Sequence, residues 1–157
     1  MLEKNLQLIL NKIIRLVNVF LLNFFYYLGM FNSLWYKSLI KPILAPPDWV
    51  FAPAWGILYL MILSSFFVFL ISKHENKKFG YLYFFIQLFL NIIWTPIFFS
   101  LQNIGLAFLV ILLLDIFVFF TIYEFLKISK LAGLLLVPYL LWILYATYLN
   151  GGYLFLN

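Results

Sequence analysis

One apolar stretch of this 157-residue chain carries aromatic and hydrogen-bonding side chains at helical spacing. An asparagine and a threonine fall on one helix face with two aromatic rings, at separations of three, four and seven residues. An amide in such a setting either bonds a neighbouring helix or lines a ligand site, and the sequence leaves both interpretations of Asn91 open. The set comprises Asn91, Trp94, Thr95 and Phe98.

A second stripe lies near the C-terminus, where Tyr139, Trp142, Ala146 and Asn150 follow one another at i, i+3, i+7 and i+11. The small Ala146 leaves a notch that could admit a flat ligand with its face against Trp142. Ala146 could equally be an ordinary helix-packing residue. Trp55 and Tyr59 share a further face, which could meet lipid, the membrane interface or a pocket.

Titratable groups give little support for catalysis. Asp115 lies inside an apolar run, where a carboxylate could pair with Arg or Lys, stay protonated in a pocket, or reach the interface by helix tilt. His74, the one histidine, stands in a lysine-rich turn and is expected to be solvated. The sequence has no cysteine and no acid or histidine cluster. We therefore expect no metal site, no obligatory cofactor and no hydrolytic chemistry.

The elements that hold these residues must lie in a membrane. The chain is 67% hydrophobic and only 10% charged, far from the soluble-protein average of about a quarter charged. Uncharged runs can each hold a helix of about 20 residues, the length that crosses a bilayer. We predict one domain over residues 1–157, an all-α bundle of five transmembrane helices at about 13–31, 49–72, 79–100, 105–126 and 131–155.

The distribution of basic residues and the N-terminal apolar run bear on membrane orientation and on partners. Most lysines lie at the ends that share a side with the N-terminus, which predicts a cytoplasmic N-terminus and a C-terminus on the opposite face. The ten basic residues form no continuous stripe, so nucleic acid is not an expected partner. The N-terminal apolar run lacks a signal-peptide cleavage pattern and is interpreted as the first span.

One connection is long. Residues 32–48 join the first two spans and contain Pro42, Pro46 and Pro47 together with Trp35 and Tyr36. Prolines stiffen the backbone and the aromatic rings provide apolar anchors. We predict that this segment, called the cap below, folds over one end of the bundle.

Several ordered motifs from residue 35 onward carry a family resemblance. They read Trp35-Tyr36-x-x-Leu39-x-Lys41-Pro42, Pro46-Pro47-x-Trp49-Val50-Phe51-x-Pro53-x-Trp55-Gly56-x-Leu58-Tyr59, Leu90-Asn91-x-x-Trp94-x-Pro96-Ile97-Phe98-Phe99, Gly105-x-Ala107 and Pro138-Tyr139-Leu140-x-Trp142-x-x-Tyr145-Ala146-Thr147-x-Leu149-Asn150. In this series the chain resembles the TspO/MBR family, also called translocator protein, tryptophan-rich sensory protein or peripheral-type benzodiazepine receptor.

The resemblance implies a five-helix bundle, commonly a homodimer, that binds tetrapyrroles such as protoporphyrin IX and haem, and sterols such as cholesterol. It implies a pocket between the second, third and fifth helices, closed by the first loop. Carried onto this sequence, the ligand-binding residues are Trp35, Tyr36, Trp55, Asn91, Trp94, Phe99, Trp142 and Ala146.

Two features of the sequence bear on which ligand is bound and how it is held. No Lys or Arg follows Tyr153, so the cholesterol-recognition pattern is incomplete. With no histidine in the predicted helices, haem would be held by stacking and burial.

Four functions are compatible with the sequence. The leading hypothesis is a membrane receptor or sensor for a flat hydrophobic ligand. The others are a transporter of such ligands, a light- and oxygen-dependent porphyrin-degrading activity, and a purely structural membrane subunit.

Overall fold

The computed structural model describes Gln7, Arg15 and residues 33–73 and 76–157, and within these ranges every regular element is helical. A short helix α1 (Leu34–Ser38) and a 3-10 turn (Asp48–Val50) belong to the cap and its junction with α2 (Phe51–Ile71). There follow α3 (Lys78–Thr95), a π turn (Pro96–Ser100), α4 (Ile104–Ile128), α5 (Lys130–Leu135) and α6 (Val137–Leu156). The predicted span 13–31 and His74 lie outside the described residues.

Within the described part of the chain, four helical segments are long and apolar enough to cross a membrane. They are Asp48–Ile71, Lys78–Ser100, Ile104–Ile128 and Lys130–Leu156. These bounds coincide within a few residues with the predicted ranges from residue 49 onward. The all-helical, multi-pass membrane character of the chain is thereby confirmed.

Local capping explains where the helices begin and end. The Asn103 side chain accepts a hydrogen bond from the Leu106 N–H at 2.9 Å and starts α4. At the other end of the bundle Lys77 donates to the Phe69 and Leu70 carbonyls at 2.7 and 3.0 Å, which satisfies the last turn of α2. Burial lowers the pKa of Lys77.

Prolines interrupt two of the membrane-crossing helices. After Pro96 the helix continues as a π turn, in which the Leu101 N–H donates to the Pro96 carbonyl at 2.9 Å. The last crossing is divided at Leu136, between α5 and α6, two residues before Pro138. Pro138 has no N–H to donate to the preceding turn, and its ring crowds that turn. This second break was not predicted from the sequence.

Aromatic stacking holds the end of the bundle opposite the cap. Phe66 stacks on Phe84 with ring centroids 4.2 Å apart, and Phe69 stacks on Phe125 at 4.0 Å. All four rings are buried and join α2, α3 and α4. The Ser65 hydroxyl also donates to the Ala132 carbonyl, which ties α2 to α5. This end of the bundle is therefore tightly packed.

Gly80 provides a test of that packing. A Cβ added there would lie 2.6 Å from the Phe69 ring, which is fully buried and stacked on Phe125 and cannot easily give way. We expect Gly80→Ala to destabilise the detergent-solubilised protein by about 1–3 kcal/mol, measured as a lower thermal unfolding midpoint. At Gly105 an added Cβ meets its neighbours at 3.7 Å or more, so Gly105→Ala is the control. Equal midpoints for the two variants would contradict this account.

Candidate functional site

A cavity lies under the cap, between α2, the end of α3 and α6. Its enclosed volume is about 40 Å³. Aromatic rings from each of these elements form most of its wall, and α1 forms the roof. The lining residues are Tyr36, Phe51, Trp55, Trp94, Phe98, Phe99, Trp142, Ala146, Leu149, Asn150 and Tyr153. We call this space the inner cavity.

Most of the residues singled out from the sequence meet at the inner cavity. Helix α2 supplies a tryptophan, α3 and its π turn supply a tryptophan and a phenylalanine, and α6 supplies a tryptophan and an alanine. The cap adds one tyrosine, which is 3% exposed. These predicted residues are Tyr36, Trp55, Trp94, Phe99, Trp142 and Ala146.

Asn91 lies deeper than the other predicted residues. Its amide donates to the Tyr139 hydroxyl at 3.1 Å, and that hydroxyl donates to the Gln87 side-chain carbonyl at 3.1 Å. Asn91 also borders a void of about 10 Å³ that it shares with Trp55 and other lining residues of the inner cavity. In this structure the amide joins α3 to α6, which is the helix-linking alternative, and it reaches the ligand space only through the smaller void.

Trp35 lies outside the lining of the inner cavity. Its indole packs edge-on against Phe98, with ring centroids 5.6 Å apart. Phe98 in turn stacks on Trp94 at 5.2 Å. Trp35 therefore supports a cavity wall from behind.

The structure also adds lining residues that the sequence prediction left out. Phe98 and Asn150 were on the predicted stripes but not in the predicted site. Phe51 precedes Trp55 by four residues, and Tyr153 follows Ala146 by seven, so helical spacing was a signal that could have found both. Leu149 follows Trp142 by seven residues and Ala146 by three, so the same spacing could have found it as well.

The polar atoms around the inner cavity differ in how they are satisfied. The Trp94 indole N–H donates to the Asn150 side-chain carbonyl at 3.0 Å, and the Asn150 amide donates to the Ile104 carbonyl at 3.1 Å. The indole nitrogen of Trp142 is buried and has no hydrogen-bond partner among the described residues. A buried donor without an acceptor is unfavourable, and an acceptor on a bound ligand would remove that cost.

The cap is tied to α6. The Tyr36 and Tyr153 hydroxyls are 3.0 Å apart, and the Tyr145 hydroxyl donates to the Leu44 carbonyl at 2.6 Å. Burial of Tyr36, together with its contact to Tyr153, raises the pKa of its phenol, so the hydroxyl stays protonated at physiological pH. These contacts keep the roof over the inner cavity.

Backbone contacts extend the same attachment. The Asn157 side chain accepts from the Ile40 N–H at 2.8 Å and donates to the Ile40 carbonyl at 3.2 Å. Pro42 packs so closely on Gly152 that a Cβ at Gly152 would lie 2.6 Å from the proline ring. The absence of a side chain at Gly152 is what lets the cap approach α6.

Asp115 is not part of the inner cavity. Its carboxylate is 2.8 Å from the Thr147 hydroxyl, across the contact between α4 and α6. Its second oxygen is buried without a hydrogen-bond partner in the described part of the chain. The partner that the structure gives Asp115 is a neutral hydroxyl, and no Lys or Arg among the described residues forms an ion pair with it.

Comparison with known proteins agrees with this architecture. The TspO/MBR family model matches residues 15–156. The chain is 42% identical over 127 residues to the tryptophan-rich protein TspO of Chlorobaculum tepidum, covering 80% of each protein. It is 37% identical over 123 residues to the tryptophan-rich sensory protein of Cereibacter sphaeroides, covering 78% of this chain and 77% of the relative.

A mammalian relative is similar as well. The translocator protein of Homo sapiens is 38% identical over 119 residues, which cover 74% of this chain and 70% of that protein. The family-model match over residues 15–156 includes the cap, the aromatic wall of the inner cavity and all four described membrane-crossing segments. This chain belongs to the TspO/MBR family of multi-pass membrane proteins.

Proposed function

We propose that this protein is a membrane receptor or sensor that binds a flat hydrophobic ligand, a tetrapyrrole such as protoporphyrin IX or haem, in the inner cavity. The observation that carries the proposal is the cavity wall itself, which takes aromatic rings from α2, α3 and α6 and a roof from the cap. Aromatic faces stack on planar conjugated ligands and bury large apolar areas. Sterols are a second, weaker class of ligand for the same site.

The size of the inner cavity constrains how a ligand is held. At about 40 Å³ it is far smaller than the roughly 300–1,000 Å³ of pockets that hold drug-sized molecules. Binding therefore needs the rings to turn or the cap to rise. The smallest side chain in the lining is that of Ala146, and it leaves the most room for such an adjustment. Trp142 and Phe51 border the same part of the wall.

The same proposal covers membrane topology and assembly. We propose that residues 13–31 form a fifth crossing, that the N-terminus is cytoplasmic, and that the whole chain is one domain. Lys73, Lys77 and Lys127 lie at the end opposite the cap, while Lys37 and Lys41 lie in the cap, which favours this orientation. We also propose that the protein forms a homodimer, as the family resemblance implies.

Substitution at the notch tests the site. We expect Ala146→Phe to abolish saturable quenching of tryptophan fluorescence by protoporphyrin IX, because the added ring would occupy the space that the ligand needs. Leu144→Phe, on the exposed face of the same helix, should bind as the parent does. Circular dichroism would check that both variants keep their helical content. Parent-like affinity in Ala146→Phe would place the ligand elsewhere.

The side chains that line the inner cavity predict whether the iron of haem changes the affinity for the ligand. The lining offers no histidine, cysteine or methionine to ligate iron, and its two tyrosine hydroxyls, those of Tyr36 and Tyr153, bond each other at 3.0 Å. We therefore expect the dissociation constants of haem and of metal-free protoporphyrin IX to agree within about threefold, measured by the same titration. A much tighter affinity for haem, with a ligation-dependent shift of its Soret band, would contradict binding by stacking alone.

A further inference from the structure

A second concave surface lies on the outside of the bundle, between α2 and α6. It has a volume of about 440 Å³, and its lining side chains are apolar apart from the Tyr145 hydroxyl and the Trp142 indole nitrogen. Ile57 and Leu141 on its rim are 61% and 63% exposed, so within the described part of the chain the groove is open to the outside of the bundle. Its lining residues are Ala54, Ile57, Leu58, Met61, Pro138, Leu141, Trp142 and Tyr145. We call it the outer groove.

The helix break at Leu136 explains why the outer groove exists. Before the break, α5 packs closely on α2, and the Ser65 hydroxyl bonds the Ala132 carbonyl at 2.6 Å. After the break, α6 meets α2 over few residues. Pro138, which ends the regular hydrogen bonding of the helix, itself lines the groove. The two helices therefore separate where the aromatic wall of the inner cavity begins.

Trp142 lines both spaces. On the inner side its ring packs edge-on against Phe51, with centroids 6.0 Å apart, and on the outer side it meets Tyr145 at 5.8 Å. Its indole nitrogen has no hydrogen-bond partner among the described residues, whereas the Trp94 nitrogen is held by Asn150 at 3.0 Å. Turning the Trp142 ring would thus break packing contacts but no hydrogen bond of its indole.

The route from water is more firmly closed. A ligand that arrived over the cap would have to separate the Tyr36 and Tyr145 hydroxyls from their partners and lift Pro42 off Gly152. A planar, largely apolar ligand also partitions into the bilayer, because removal of its apolar surface from water is favourable. Both considerations favour approach from the lipid side.

We propose that the outer groove is a loading site, where the ligand docks from the bilayer before it passes Trp142 into the inner cavity. The proposal rests on the proposed function, since its occupant is the same planar hydrophobic molecule. Trp142 is the movable wall between the two spaces, and the cap can stay closed while the ligand enters.

A locked cap provides the first test. A Cβ at Gly152 would be 2.9 Å from that of Pro42, which is shorter than the roughly 3.5–4.5 Å that a disulfide needs, so the cap must shift outward by about 1 Å to accept a bridge that then ties it covalently to α6. The chain has no cysteine of its own, so Pro42→Cys with Gly152→Cys would form a single bridge under oxidation. The oxidised and reduced forms are compared in nanodiscs, with protoporphyrin IX supplied from vesicles and association followed by stopped-flow quenching.

We expect the two forms to associate with the ligand at rates within about twofold. A loss of tenfold or more on oxidation would overturn the proposal, because it would mean that the ligand enters beneath the cap. Absence of saturable binding in the reduced form and in the parent would instead reject the proposed function, and the loading site with it.

A variant in the outer groove provides the second test and does not depend on the disulfide. Ala54→Phe should fill the groove and slow both association and dissociation by tenfold or more while leaving the dissociation constant within about threefold, because Ala54 does not line the inner cavity. Leu60→Phe adds a ring to an exposed position of the same helix outside the groove and should leave both rates unchanged. Parent-like rates in Ala54→Phe would overturn the proposal.

Discussion

The structure depends on one constraint, which is that polar side chains within membrane-crossing helices are directed into the bundle, where most of those described find hydrogen-bond partners. Asn91 on α3 donates to the Tyr139 hydroxyl on α6, and that hydroxyl donates to Gln87. The face of α3 that carries these amides is therefore turned toward α6. Trp94 and Asn150 make a second link between the same helices. Because lipid offers no alternative hydrogen-bond partners, these helix faces are directed toward the interior of the bundle.

The aromatic rings on the same faces are carried inward with the amides. They cannot fill the space between α2, α3 and α6 completely, since two of these elements are interrupted beside prolines and Ala146 is small. The result is a cavity at the cap end, while the opposite end is filled by the stacked rings of Phe66, Phe84, Phe69 and Phe125. The bundle thus combines a rigid base with an adjustable aromatic chamber.

The sequence predicted the aromatic wall better than its boundaries. Trp55, Trp94 and Trp142 were recognisable because helical periodicity places ring after ring on one face, and the structure brings them together. Asn91 and Trp35 belong to the same motifs but lie one layer away from the inner cavity. Periodicity gives the face on which a side chain lies, but not its depth, which depends on how closely the helices approach.

By itself the sequence determined the solvent, the helical class, the four described crossings and the family, because long uncharged runs and ordered motifs are local properties of the chain. Tertiary structure alone decided the separation of α2 from α6 after Leu136, the attachment of the cap through Gly152 and Asn157, and the pairing of Asp115 with Thr147. Each of these depends on residues that are far apart in the chain. Such contacts arise from packing in three dimensions, and no spacing in the sequence records them.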